Sequence, residues 1–351
     1  MKEKIITFGE IMLRLTPPNY NTIDQTQTFV ANYGGGEANV AVSLSHFGHN
    51  TYFMSKLPPN QLGDSAIQHL RGHGVNTQYV VRGSSILGIY FLETGYGGRP
   101  SKVIYNRKHS AITRIQAYEF DFDEIFHDAT WFHLSGISLA LGPRVRAVAL
   151  EALKYCKKYG VKVSFDFNYR AKLWTIEEAI PCYKEVMEYV DIVFSSFYDC
   201  NTILQIPVDE DIASKPENKE AIEKNTFTRE MRENVFRKMI KQYNVKYVFG
   251  TDRTIYSATE NSLAGYLVSA DKQSYTDPIR FMIFDRIGGG DAFASGVIHG
   301  LLNDYENPEY ALKFGLSTSV LKHTVYGDVA IFKEQDVLEY MKTNGVQRVD
   351  R

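Results

Sequence analysis

Cysteine is scarce in this chain of 351 residues: only Cys156, Cys182 and Cys200 occur. An odd, sparse set without Cys-x-x-Cys spacing argues against a disulfide framework and against a zinc site. It points instead to reducing cytosol, a cytoplasmic localisation. No apolar run approaches the roughly 18 residues of a membrane span. Met1-Lys2-Glu3-Lys4 leads into a short apolar strand, unlike a signal peptide. Net charge is −2, so neither nucleic acid nor a membrane surface is expected as a partner. Solenoid repeats, heptads and low-complexity tails are missing too. What remains is ordinary for a globular protein: 44% hydrophobic and 23% charged residues, with 23 Tyr and 21 Phe for aromatic packing. The length suits one large α/β domain with a small appendage.

The most informative stretch is Asp285-Arg286-Ile287-Gly288-Gly289-Gly290-Asp291-Ala292-Phe293. Residues 279–284 before it alternate like a strand, and a small, apolar, helix-compatible run follows. Strand, glycine turn and helix in that order aim free backbone N–H groups and a helix dipole at one spot. Such a spot binds anions, phosphate above all. Asp291, in the first helical turn, can take a proton from a hydroxyl attacking phosphorus. The plainer alternative is a tight turn with Asp as helix N-cap. No Gly-Lys-Ser/Thr follows, so this is not a Walker A loop. Nor is it Gly-x-Gly-x-x-Gly with an acidic residue about 20 positions on.

A second glycine loop, Gly34-Gly35-Gly36-Glu37-Ala38-Asn39, opens a small-residue helix that ends near Gly48. Asn39 faces the loop side, and its amide suits a polyhydroxylated ligand. Tight packing against a sheet is the alternative. Elsewhere strands and helices alternate as βαβ units, which predicts a parallel sheet with crossover helices. Strands are expected near 5–9, 50–56, 76–81, 130–136, 161–166, 191–196 and 247–252. Helices are expected over 61–74, 143–159, 307–323 and 334–344. Residues 87–93 and 102–107 read as a hairpin that joins the 11–33 segment in a four-stranded lid. Tyr90, Tyr105 and Arg107 lie on it, and Arg107 can hold a carboxylate by paired hydrogen bonds. Asp166, Asn168 and Arg170 follow a strand's carboxyl end, where ligands of open α/β sheets sit. Residues 205–235 read as an exposed, charged, partly helical insertion.

Gly34 to Ala41 resembles the first signature of the ribokinase-like (PfkB-type) carbohydrate kinases, and residues 285–293 resemble their second. Within that family, residues 10–18, Tyr105-Asn106-Arg107, Ser110-Ala111 and 166–170 with Trp174 look like 2-keto-3-deoxygluconate kinases. The resemblance implies a three-layer α/β/α domain built from residues 1–10, 34–86 and 111–345. The lid is then 11–33 and 87–110. It implies ATP- and Mg2+-dependent phosphorylation of a sugar acid, giving 2-keto-3-deoxy-6-phosphogluconate. Asp291 matches the catalytic base, and Gly288, Gly289 and Gly290 the anion hole. Gly35, Gly36, Asn39, Tyr90, Tyr105, Arg107 and Arg170 match the sugar side. Gly250, Thr251 and Arg253 match the nucleotide side, with Asp166 and Asn168 between the two. No protein cage for a metal is implied, and pairing into a homo-oligomer through the lid is. Three departures stand out: Arg286 replaces the family's Thr, Gly289 its Ala, and Ser195-Ser196-Phe197-Tyr198-Asp199 stands where the family has Asn-x-x-Glu. A fructokinase, a ribokinase and a non-catalytic sensor are the competing readings.

Overall fold

The computed structural model describes residues 3–343; Met1, Lys2 and Asn344 onward lie outside the described residues. Among the described residues, fourteen strands form two sheets. The first segments are β1 (Lys4–Phe8), β2 (Met12–Thr16), β3 (Val30–Gly34), β4 (Asn50–Leu57), β5 (Val80–Arg82), β6 (Ile89–Glu93) and β7 (Lys102–Asn106). Then come β8 (Trp131–Ser135), β9 (Lys162–Asp166), β10 (Ile192–Phe194), β11 (Tyr247–Ile255), β12 (Glu260–Val268), β13 (Gln273–Tyr275) and β14 (Ile279–Met282). The large sheet runs β13-β12-β11-β10-β9-β8-β1-β4-β5, with β14 also on β12. From β5 to β11 every pairing is parallel; β12, β13 and β14 close one edge antiparallel. The small sheet, β3-β2-β6-β7, takes two strands from each of the segments expected to form it. Central strands such as β1 and β8 are buried along their whole length and mostly apolar, as a sheet covered on both faces requires.

The helices are α1 (Gly36–His46), α2 (Gln61–Gly72), α3 (Phe122–Phe126), α4 (Gly136–Ala140), α5 (Pro143–Tyr159) and α6 (Ile176–Met187). They continue as α7 (Glu210–Ala213), α8 (Pro216–Glu223), α9 (Arg229–Tyr243), α10 (Gly289–Asn303), α11 (Pro308–Lys322) and α12 (Glu334–Thr343). None is long and apolar enough, among the described residues, to cross a membrane. α5 starts on Pro143 at its first turn and stops at Gly160, which is left-handed with φ 69°. α1 and α10 are buried nearly all round, so small residues let them pack. A Cβ on Gly300 would crowd Ala311 of α11, and one on Gly296 would crowd Gly315. This close approach fixes where the N-terminus of α10, and hence Asp291, points.

Several expectations need correction. Only Val80–Arg82 of the 76–81 segment is a strand; Asn76 makes a single bridge to Tyr52. The 247–252 segment is not strand and turn, because β11 continues to Ile255 through eight pairings with β12. β12 and β13 had no counterpart in the sequence reading. The 205–235 segment is helical and mainly exposed. Its last residues nevertheless start α9, whose Met231 and Val235 enter the core.

Candidate functional site

The carboxyl ends of β1, β8 and β9 meet the N-termini of α1 and α10 around a cavity of about 440 Å³. That size is in the range of small-molecule sites. Gly35, Gly36, Asn39, Tyr90, Tyr105, Arg107, Asp166, Asn168, Arg170, Gly288, Gly289, Gly290 and Asp291 all line it. Residues from five separate segments of the sequence therefore converge on one cavity.

Asp291 occupies the first turn of α10 and is only partly accessible. Its Oδ2 accepts a 2.7 Å hydrogen bond from Asn39 Nδ2. Asn39 Oδ1 in turn accepts from Gly35 N–H at 3.2 Å. Asn39 thus ties the two glycine loops together rather than offering a free amide to a ligand. Burial raises the Asp291 pKa to about 7, with Glu37 and Asp328 adding repulsion; Asn39 and Arg170 oppose the shift. A carboxyl poised near neutral pH can accept a proton from a hydroxyl.

Gly288 is left-handed, with φ 82°, and its missing side chain makes room for the Asp328 carbonyl. Around Gly290, by contrast, the space is open. Backbone N–H groups at this helix start can therefore be approached from the cavity.

Asp166 ends β9 and faces Asp291 electrostatically. Burial first, then the Asp291 charge, raise its pKa to about 8, while Arg170 opposes. Asn168 adopts φ 39°, a left-handed conformation that Asn tolerates, and its amide lies 3.5 Å from Asp166 Oδ2. Two carboxyls that repel each other in one cavity form a site that a cation relieves. No group of three or more His, Cys, Asp or Glu among the described residues is arranged to hold a metal by itself.

Arg107 follows β7 and pairs with the Glu10 carboxylate. Ser110 Oγ donates to Glu10 at 2.5 Å and steadies it. Arg107 Nε is buried and has no hydrogen-bond partner among the described residues. Tyr105 is half exposed beside it, and its ring lies 5.7 Å from the guanidinium carbon. Arg170 is exposed at the cavity mouth. Tyr90 is buried and donates its hydroxyl to Asp328.

Three expected residues do not line this cavity. Gly250 lies in β11 against the Tyr266 ring, whose hydroxyl donates to Ser195 O at 2.6 Å. Thr251 pairs with Gly265 across the sheet. Arg253 lies 3.2 Å from His323 Nε2. Burial and the neighbouring Arg253 hold His323 at a pKa of about 3, so it is neutral. Its Nδ1 lies 2.6 Å from Ser319 O and carries the proton; Nε2 accepts from Arg253. His323 also packs against Gly289, so this ring stands between Arg253 and the glycine loop.

Sequence reasoning left Glu10, Glu37, Arg286 and Asp328 without a place in the cavity, and all four line it. Glu37 is buried and accepts from Ser135 N–H, Ser135 Oγ and Ser138 Oγ at 2.7–3.0 Å. The Gly327-Asp328 pair was the one local turn signal for the last of them.

The sequence profile of the pfkB family of carbohydrate kinases matches residues 2–231. A Haloferax volcanii protein named 2-dehydro-3-deoxygalactonokinase is 31% identical over 100% of both chains. The crystal structure of 2-dehydro-3-deoxygluconokinase from Thermotoga maritima is 39% identical, with TM-score 0.88, covering 97% of this chain and 99% of that one. A putative 2-keto-3-deoxygluconate kinase from Enterococcus faecalis is 32% identical, with TM-score 0.90 and 99% of each chain covered. With the two glycine-started helices meeting over one cavity, these likenesses identify the chain as a member of the pfkB family of carbohydrate kinases.

Proposed function

We propose that this carbohydrate kinase transfers the γ-phosphoryl group of ATP to the 6-hydroxyl of 2-keto-3-deoxygluconate. The products are 2-keto-3-deoxy-6-phosphogluconate and ADP. The observation that carries the reading is Asp291: a carboxyl of pKa about 7, held by Asn39 beside an approachable glycine-started helix. Asp291 takes the hydroxyl proton as the sugar oxygen bonds to phosphorus and the bond to the ADP leaving oxygen breaks. Amides of Gly288, Gly289 and Gly290 stabilise charge on the group in flight, where fixed donors are worth most. Asp166 and Asn168 would face magnesium arriving with the nucleotide, which would supply charge neutralisation there. Gly250, Thr251 and Arg253 remain a proposed nucleotide face, beyond the cavity and behind His323.

The arginines favour a sugar acid over fructose or ribose. Arg107 has an unused, buried Nε donor and a rigid planar fork, fitted to a carboxylate. Arg170 adds a second charge at the mouth. The names of the Thermotoga and Haloferax proteins divide between the 2-dehydro-3-deoxy gluconate and galactonate compounds, which differ at one hydroxyl-bearing carbon. The galactonate epimer is therefore the second reading. The small sheet would act as a lid that excludes water, the competing acceptor. Its outward Val30 and Ile104, 42% and 55% exposed, also support pairing of two copies through that sheet. Three buried, unpaired cysteines fit a reducing cytosolic setting.

A panel of both deoxy-keto acids, fructose and ribose, with ATP and magnesium, tests the assignment through the mass of the phosphorylated product. Turnover of fructose or ribose at tenfold higher kcat/KM than either acid would overturn it.

A further inference from the structure

Behind the glycine loop, and outside every role assigned so far, lies a fully buried guanidinium. Arg14 belongs to β2 of the small sheet and is 0% exposed. Its Nη2 donates to Asp285 Oδ2 at 2.5 Å and its Nη1 to Asp328 Oδ1 at 2.6 Å. Nε donates to Thr16 Oγ1 at 2.8 Å, and the Tyr326 ring lies 5.2 Å from the guanidinium carbon. Each of the three guanidinium nitrogens thereby donates to a protein group, Nε within β2 and the other two to carboxylates of distant segments.

The two carboxylates are tied to both glycine loops. Asp285 Oδ1 accepts from Ile287 N–H at 3.2 Å, one residue before Gly288, and Oδ2 accepts from Gly327 N–H at 3.1 Å. The Asp285 carbonyl accepts from buried Lys322 Nζ at 3.2 Å. Asp328 touches both helix starts: its carbonyl fills the space beside Gly288 and its carboxylate the space beside Gly34. That carboxylate also accepts from Tyr90 on β6, the strand next to β2. A surface ion pair would do little of this, but a desolvated, fully bonded one is geometrically demanding.

We infer that Arg14 is a positioning residue that locks the Gly288–Gly290 loop to the small sheet, so that the loop takes its reactive geometry only with that sheet in place. Arg14 touches no reacting atom in this account. It acts through Asp285 and Asp328, and couples the sheet over the sugar to the amides facing the phosphoryl group. The inference rests on the proposed role of those amides.

The test is steady-state kinetics of Arg14→Lys and of Asp285→Asn, with the sugar that the unmodified enzyme phosphorylates fastest. Lysine keeps the charge but cannot bridge two carboxylates; asparagine keeps the shape but loses the charge. Misplacing the loop by a fraction of an ångström should lower kcat about 10²-fold in either variant. KM for sugar and for ATP should move less than about threefold, because bound ground states do not use the loop's final geometry. The double variant should be no slower than the worse single one, as expected of residues acting as a unit. Assays run below the melting temperature of each variant, and Asp285→Asn carries the test alone if Arg14→Lys does not fold. A lower melting temperature with kcat unchanged in Asp285→Asn would overturn the inference, as would multiplicative losses in the double variant. Asp291→Asn in the same assay separates the two claims. If it too retained full kcat, the reading of the site itself would fall, whereas its loss alone would remove only the role of Arg14.

Discussion

Two helices in this molecule begin on three glycines, and they use them in opposite ways. At the start of α1, the absent side chains serve packing: a Cβ on Gly35 would overlap the Glu10 carbonyl, and one on Gly34 the Asp328 carboxylate. The polar residues that follow are spent on protein partners, Glu37 on two serines and Asn39 on Gly35 and Asp291. At the start of α10, Gly288 also yields to a neighbour, but Gly290 faces open space and Asp291 has one oxygen held. Near-identical strings thus give a braced wall and an approachable helix end. Glycine alone does not announce a ligand; the space beside it decides.

Substitutions can break that contrast. The largest effect should come from Asp291→Asn, which keeps the shape and removes the base: kcat should fall at least about 10³-fold. A loss under tenfold in a coupled assay would remove Asp291 from proton transfer. Gly288→Ala imposes a left-handed φ on alanine and displaces the Asp328 carbonyl. Its kcat should drop about 10²-fold together with the melting temperature. Arg107→Ala should raise KM for the sugar acid about 10- to 100-fold, the loss of hydrogen bonds to a charged group. Its kcat should change far less, and an unchanged KM would defeat the carboxylate argument. Gly36→Ala sharpens the comparison from the quiet side. Its Cβ would meet only Asp291 Oδ1, at an ordinary 3.6 Å. The melting temperature should therefore hold, since no protein atom has to move, and a clear fall in it would show that Gly36 too serves packing.

Much of this was legible because it is local. The helix Pro143–Tyr159 is bounded by its own proline and glycine, and the four strands of the small sheet by alternation and turn residues. Both glycine loops are contiguous strings. Arg14 was not legible as more than a polar residue in a strand. Its two carboxylate partners lie 271 and 314 positions away, a distance that no window of sequence spans. Asp328 was hidden for the same reason, since its importance comes from sitting between loops that the fold brings together. Gly250 illustrates the converse. The resemblance alone set it on the nucleotide side, and the fold adds that the Tyr266 ring of the neighbouring strand fills the space beside it. β12 went unread because Glu260 to Ser262 and Gly265 dilute its apolar alternation, and only pairing with β11, β13 and β14 makes it a strand.

The most direct measurement is the pH dependence of kcat/KM for the sugar acid, in the unmodified enzyme and in Asn39→Ala. A base works only when deprotonated, so the rate should fall with acid through the Asp291 pKa of about 7. Asn39 donates to the ionised form and lowers that pKa. Removing a charged hydrogen bond should therefore carry the acid limb upward by about one unit. A flat profile between about pH 5.5 and 8, or a limb that stays in place without Asn39, would contradict Asp291 as the base.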